Sequence, residues 1–297
     1  MNRGAATKTG RHMAVFRALE STKPANERLF FDPFAGAFAS RFYRTILAAC
    51  SVPFVRKTFE AYIQLRWPGT YTAAVARTRL IDDMITKAVR EDGINQIFIL
   101  NATLDTRAHR LDIGMPVSFV EVNHPDTQNF KQKQIWGMLG NAEMPAVHVD
   151  YVKLDMSRQQ LADTISPILL QKSRYKTLFL WEALTTSMEA AQAESLFEFI
   201  KSYPPGTQVI ITYADKDVFE NPRAYPGFSR IYKALRHAGE NWDYGMNAGD
   251  VTAFMRERNM QLLYDGGADK YREQYFGEKS KCMKGYEYFR VMRSELK

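Results

Sequence analysis

Between residues 96 and 213 the chain repeats one pattern: a short run rich in β-branched and aromatic residues, then a polar-faced stretch of helical length. The runs are Gln96–Leu100, Val117–Val122, Val147–Leu154, Thr177–Trp181 and Gln208–Tyr213. Helical stretches at Asp126–Leu139, Ser157–Leu170 and Met188–Lys201 separate the later ones. Strands without polar alternation are strands covered on both faces, so the pattern predicts a parallel sheet sandwiched by helices. Two late strands, Gln261–Tyr264 and Tyr286–Met292, follow a helix at Ala248–Glu257. The expected fold is α/β: a Rossmann-like, doubly wound, seven-stranded and mostly parallel sheet.

The first quarter of the chain reads differently. Residues 12–20, 35–50 and 54–66 carry apolar residues at helical spacing. Ala73–Arg90 does so most clearly, with Ala74, Ala76, Leu80, Ile81, Met84, Ile85 and Val89 on one face. We therefore expect residues 1–92 to form a helical N-terminal extension packed on a core of residues 93–297. An aromatic-rich insertion after the fifth strand, residues 215–247, is expected to act as a lid. Within it, Phe228, Tyr232 and Leu235 share helical spacing and are expected to pack against the sheet.

Charge and composition narrow the partners. Forty Lys and Arg against 33 Asp and Glu give +7, without a basic block, so nucleic acid is not expected. No apolar run reaches the ~18–20 residues that a membrane span needs, and residues 1–16 lack the apolar stretch of a secretory signal. Two distant cysteines, Cys50 and Cys282, suit a reduced cytoplasmic compartment. The five histidines form no metal-ligand spacing, so no metal is expected. Walker A, GxSxG, HExxH and GxGxxG sequences are all absent.

In a doubly wound sheet the ligand sits beyond the C-terminal strand ends. Those ends read Asn101-Ala-Thr-Leu-Asp-Thr-Arg107, Glu121-Val-Asn-His124, Asp155-Met156, Glu182-Ala-Leu-Thr-Thr186 and Tyr213-Ala-Asp215. Acids and amides thus recur along one edge, where a carboxylate can accept ribose hydroxyls or cap the next helix.

Three segments carry a resemblance. They are Ala76-Arg-Thr-Arg-Leu-Ile-Asp-Asp83, Phe98-Ile-Leu-Asn-Ala-Thr-Leu-Asp-Thr-Arg-Ala-His-Arg-Leu111 and Phe119-Val-Glu-Val-Asn-His-Pro125. Together they resemble the leucine carboxyl methyltransferase-like family, with Leu29-Phe-Phe-Asp-Pro-Phe34 and the Val251–Asn259 helix as further points of likeness. The resemblance implies a class I methyltransferase fold. It also implies an S-adenosyl-L-methionine-dependent O-methyltransferase acting on a carboxyl or hydroxyl group of a small molecule, in a family that includes natural-product enzymes.

The resemblance also implies roles. Arg77, with Arg79 as the alternative, would bind the methionyl carboxylate. Asn101, Thr103 and Asp105 would form the turn beneath it. Glu121 and Asn123 would lie at the ribose, Asp155 and Met156 would flank the adenine, and Glu182 would stand near the methionyl amine. His124, His12 and Glu182 are the candidate bases. Tyr213 and Trp181 are the aromatics expected to face the reaction centre.

The chain departs from the family pattern at that turn. Asn101 and Thr103 replace two glycines, and Asn123 replaces an acid. Thr103 is β-branched and is expected to resist a left-handed backbone. Two other readings stay open: a non-methylating enzyme that cyclises S-adenosyl-L-methionine or transfers its aminocarboxypropyl group, releasing methylthioadenosine, and a non-catalytic binding protein. The acceptor and the oligomeric state are not legible in the sequence.

Overall fold

The structure is a computed structural model that describes residues 8–139, 148–155, 161, 174–182, 190–237 and 245–297. Most of the expected Ser157–Leu170 helix, with Met156, Thr185, Trp242 and Tyr244, lies outside the described residues.

Four helices precede the sheet: α1 (Lys8–Ser21), α2 (Arg41–Ala49), α3 (Pro53–Arg66) and α4 (Thr70–Arg90). The core then runs β1 (Gln96–Leu100), α5 (Arg107–Arg110), β2 (Ser118–Asn123), α6 (Pro125–Leu139), β3 (Val149–Lys153) and β4 (Thr177–Trp181). It continues with α7 (Ala190–Lys201), β5 (Gln208–Ala214), α8 (Phe228–His237), α9 (Val251–Glu257), β6 (Met260–Gly266), α10 (Ala268–Phe276) and β7 (Phe289–Leu296). Strand order is β3-β2-β1-β4-β5-β7-β6. Strands β1 to β5 pair in parallel, and β7 is antiparallel to both β5 and β6. The order reverses between β1 and β4, and the ends of those two strands form the crevice where such sheets bind ligands.

Side chains alternate across a strand, and the two faces bury separate clusters. Ile97, Ile99, Leu178, Leu180 and Ile210 pack against α4, against Phe228 and Leu235 of α8, and against Tyr271 of α10. Phe98, Leu100, Phe179, Trp181, Ile211 and Tyr213 pack on the opposite face with Leu196 and Phe197 of α7 and Met255 of α9. Helix α4 is buried on both sides. Its Ala73, Leu80 and Ile85 meet the sheet. Its Tyr71, Ala74 and Val75 meet Phe16 and Leu19 of α1 and Ile63 of α3.

The largest differences from the sequence reading lie at β7 and α10. Strand β7 begins three residues late because Tyr286 adopts φ +74°, which no ladder residue can hold. Tyr286 and Tyr288 instead pack beneath the sheet edge. Helix α10 carries few apolar residues at helical spacing, and Tyr271 with the buried Arg272 anchors it. The Arg272 guanidinium donates to the carbonyls of Gly69 and Gly285, each at 2.6 Å. Gly69 sits at φ +73°, where a Cβ would lie 2.2 Å from the Gly285 oxygen. Only glycine permits α4 to start there. None of the helices is long and apolar enough to cross a membrane, among the described residues.

Buried charge joins the N-terminal helices to the sheet. Asp32 caps its own turn by accepting from the Phe34 and Ala35 amides, each at 3.0 Å. Its other oxygen takes Arg17 Nε at 2.9 Å and the Thr106 hydroxyl at 2.6 Å. Burial resists ionisation of Asp32, but Arg17 and Arg110 hold its pKa below the usual carboxylate range. Asp82 of α4 takes Arg107 Nε at 2.8 Å and two Arg110 nitrogens at 2.8 and 2.9 Å. The Asp-Thr-Arg-x-x-Arg string is thus a fastener: Thr106 and Arg110 reach Asp32, while Arg107 and Arg110 reach Asp82.

Removing one partner of a buried ion pair strands the other and costs about 3–5 kcal/mol. Asp82→Ala is expected to lower stability by that amount in urea unfolding. Glu91→Ala, which breaks an exposed pair with Lys87, is expected to cost less than about 1 kcal/mol.

Candidate active site

The turn after β1 and the residue after β4 meet at the reversal of strand order. Glu182 directly follows Trp181, so the two side chains point to opposite faces of the sheet. Glu182 falls on the α4 side, where its carboxylate lies 3.3 Å from Arg77 Nε and 3.1 Å from Arg107 Nη1. Arg107 Nη1 also pairs with Asp105. Burial opposes both carboxylates, yet the arginines prevail: Arg107 holds Asp105 down to about 2, and Arg107 with Arg77 keeps Glu182 below its ordinary value.

Arg77 is buried, with its guanidinium carbon 4.7 Å from the centre of the Phe289 ring and Nη2 3.8 Å from Met13 Sδ. Its Nη1 is buried and has no hydrogen-bond partner. A buried, charged donor left unmade is costly, and it marks a place prepared for an acceptor. Arg79 lies elsewhere. Half-exposed, it pairs with Asp83 and donates to the Leu29 carbonyl. The geometry separates the two arginines, and it is Arg77 that stands with Glu182.

The turn itself corrects an expectation. Asn101 and Thr103 both take left-handed backbone, with φ +52° and +41°. Thr103 therefore does not resist that conformation; its surroundings impose it. Asn123, 1% exposed, donates from Nδ2 to the Thr103 carbonyl at 3.0 Å and accepts the His124 amide at 3.1 Å. Asn123 thus serves as a clamp, its amide committed to the turn. Glu121 is likewise committed: fully buried, it pairs with the fully buried Lys131 of α6 at 2.7 Å. Burial nevertheless keeps the Glu121 pKa raised.

His124 and Asp155 end β2 and β3 side by side, His124 Nε2 lying 3.9 Å from the Asp155 carboxylate. His124 is thus placed with Asp155, not with Glu182. Tyr213 and Trp181 are corrected by parity. Both side chains fall on the face of α7 and α9, opposite Arg77. The Tyr213 hydroxyl donates to Asp265 at 2.7 Å and accepts from Arg290 at 3.0 Å, and burial with Asp265 drives its pKa upward. Trp181 packs on Phe197.

Sequence reading assigned no role to Arg107, Arg110, Asp82, Met13 or Phe289. The first three had a signal: arginines spaced i, i+3 after a strand, and an acid four residues from a buried apolar stripe position. Met13 and Phe289 had none, because both come from distant parts of the chain.

Comparisons with known proteins bear on the family and the fold. The leucine carboxyl methyltransferase family profile matches residues 11–201. The chain belongs to the leucine carboxyl methyltransferase family. It is 29% identical to an S-adenosyl-L-methionine-dependent methyltransferase of Frankia alni over 229 residues, 75% of each chain. It is 32% identical to another from Mycobacteroides abscessus, covering 70% of this chain and 67% of that one. A methyltransferase structure from Thermobifida fusca superposes with a TM-score of 0.61 at 12% identity, covering 100% of this chain and 97% of that one. A DUF574 family protein from Streptomyces avermitilis gives 0.58 at 11% identity, covering 95% and 97%. As a leucine carboxyl methyltransferase family member the protein is an S-adenosyl-L-methionine-dependent transferase of class I fold.

Two predictions follow from this geometry. Asn123→Asp would set an acceptor against the Thr103 carbonyl, and an unmade buried hydrogen bond costs about 1–3 kcal/mol. Thermal unfolding is expected to show that loss. His109, on α5 and sharing a 3.1 Å hydrogen bond with the Tyr151 hydroxyl, is depressed to about 4 by burial and by Lys131. The unfolded chain takes up this proton near pH 6.5 and the folded one only near 4, so stability falls as pH drops through that window. In His109→Gln that part of the pH–stability curve is expected to flatten.

Proposed function

We propose that this family member methylates an oxygen, hydroxyl or carboxyl, of a small molecule. The observation that carries the reading is Arg77 Nη1: buried, charged, without a partner, and beside Glu182 at the reversal of strand order. An α-amino acid zwitterion complements this pair, its carboxylate against Arg77 and its ammonium against Glu182. S-adenosyl-L-methionine carries that zwitterion and, when bound, supplies an electrophilic methyl on a sulfonium.

The chain's own residues then have defined tasks. Arg77 and Glu182 grip the amino acid end. The Asn101–Asp105 turn supplies backbone groups held in place by Asn123. His124 and Asp155 stand at the ends of β2 and β3, toward the adenosine end. Because Arg107 and Arg77 keep Glu182 ionised below its ordinary pKa, it is a weak base and serves as an anion for the ammonium. Catalysis then rests on holding the acceptor oxygen in line with the methyl and keeping water away.

A titration of the protein with S-adenosylhomocysteine tests the grip. A hydrogen bond to a charged group contributes about 1.5–3 kcal/mol, so Arg77→Ala is expected to weaken binding ten- to a hundredfold, and Arg79→Ala less than twofold. Equal effects would remove Arg77 from the site. Mass spectrometry of S-adenosyl-L-methionine incubated without acceptor is expected to show it intact. Conversion to methylthioadenosine would replace methyl transfer by a cyclising or aminocarboxypropyl-transferring reaction.

A further inference from the structure

A recess adjoins the Arg77 cluster. It is a cavity of about 190 Å³ between α1, α2, α3, the first turn of α4, and α8. Its walls include Met13, Trp67, Leu235 and Tyr286, with His12, Thr70 and Ala234. Two contacts tie it to the cluster. Met13 lines the cavity and lies 3.8 Å from Arg77 Nη2. Tyr286 lines it and packs 5.5 Å from Phe289, the ring beneath the Arg77 guanidinium.

The chemistry of the lining is selective. Among the described residues it contains no Asp, Glu, Lys or Arg. A carboxylate entering it would lose its hydration with no fixed counter-charge in return, which is strongly unfavourable. Phe16, Tyr43, Phe59, Tyr62, Trp67 and Tyr286 set aromatic rings in the wall. The Phe59 and Tyr62 rings lie nearly parallel, 10° apart, and the His12 ring leans over Trp67 at a centroid distance of 5.9 Å. Flat rings favour a flat, aromatic occupant. The volume is below the range of drug-sized pockets, which begins near 300 Å³, so one or two fused rings fit best.

One polar group awaits a partner. Thr70, 7% exposed, lines the cavity, and its hydroxyl is buried without any hydrogen bond. A threonine hydroxyl can both donate and accept, so it suits the hydroxyl of an occupant. His12, half-buried in the same wall, carries an imidazole ring, a group that can accept a hydrogen bond from a hydroxyl.

We propose that this cavity is the acceptor subsite and that it takes an uncharged, flat aromatic compound bearing a hydroxyl, not a carboxylate. This proposal rests on the methyltransfer reading above, and its test separates the two. Protein saturated with S-adenosylhomocysteine is titrated calorimetrically at pH 8 with 2-naphthol, 2-naphthoate and 1-octanol. The expected order is 2-naphthol tightest, with 2-naphthoate and octanol each at least tenfold weaker. Thr70→Val removes the unpartnered hydroxyl without changing shape, so it is expected to fold normally, keep S-adenosylhomocysteine affinity, and lose about fivefold or more toward 2-naphthol. Ala234→Phe, which fills the cavity from its outer wall, is expected to abolish naphthol binding only.

Naphthoate binding as tightly as naphthol would overturn the proposal. So would tighter octanol binding, or naphthol binding untouched by both variants. Failure of S-adenosylhomocysteine to bind would strike at the methyltransfer reading instead, while the naphthol isotherms still decide the cavity.

Discussion

The buried ladder of Asp32, Arg110, Asp82 and Arg107 is the constraint on which the rest of the molecule depends. Each carboxylate comes from a different part of the chain than the arginines it holds: Asp32 from the segment after α1, Asp82 from the middle of α4. The arginines come from a single short helix after β1. Isolated buried charges would be prohibitively expensive, and they persist here because each is paired on more than one side. The ladder therefore specifies geometry. Any shift of the N-terminal helices relative to β1 would leave a charge unpaired.

The ladder ends at the site, and this explains why Arg77 is available. Arg107 reaches Asp82 with one nitrogen and Asp105 and Glu182 with another. Much of the negative charge near β1 and β4 is thereby neutralised by Arg107. Arg77 shares only the Glu182 carboxylate, at 3.3 Å, and one of its nitrogens stays unpartnered. The fold thus fixes one arginine by saturating it and leaves its neighbour under-coordinated. The proposed grip of Arg77 on a ligand carboxylate depends on that difference.

Strands β1, β2, β4 and β5 were legible in the sequence because they are buried on both faces, and continuous apolar runs leave little room for another reading. Helix α4 was legible from its stripe. The errors have physical sources. Tyr213 and Trp181 were placed by proximity to strand ends, but proximity along a strand does not determine the face. Glu182 meets α4, so its neighbour Trp181 faces α7. Helix α10 was missed because Arg272, a buried charge bonded to two carbonyls, does work that an apolar stripe usually does. The family resemblance supplied Arg77 and Glu182 together; spacing alone could not have paired residues 105 positions apart.

The turn after β1 shows how a chain can leave a family's sequence pattern and keep its backbone. Left-handed backbone costs a non-glycine residue roughly 1–2 kcal/mol. Asn101 is among the residues that bear this most easily, whereas Thr103 is among the least suited. What holds Thr103 is the Asn123 amide on its carbonyl. A carboxylate at position 123 could accept the His124 amide but could not donate to Thr103. The replacement of an acid by Asn123 therefore belongs with the replacement of glycine by Thr103. One change makes the turn costly and the other anchors it, so these two departures from the family pattern are parts of one local solution.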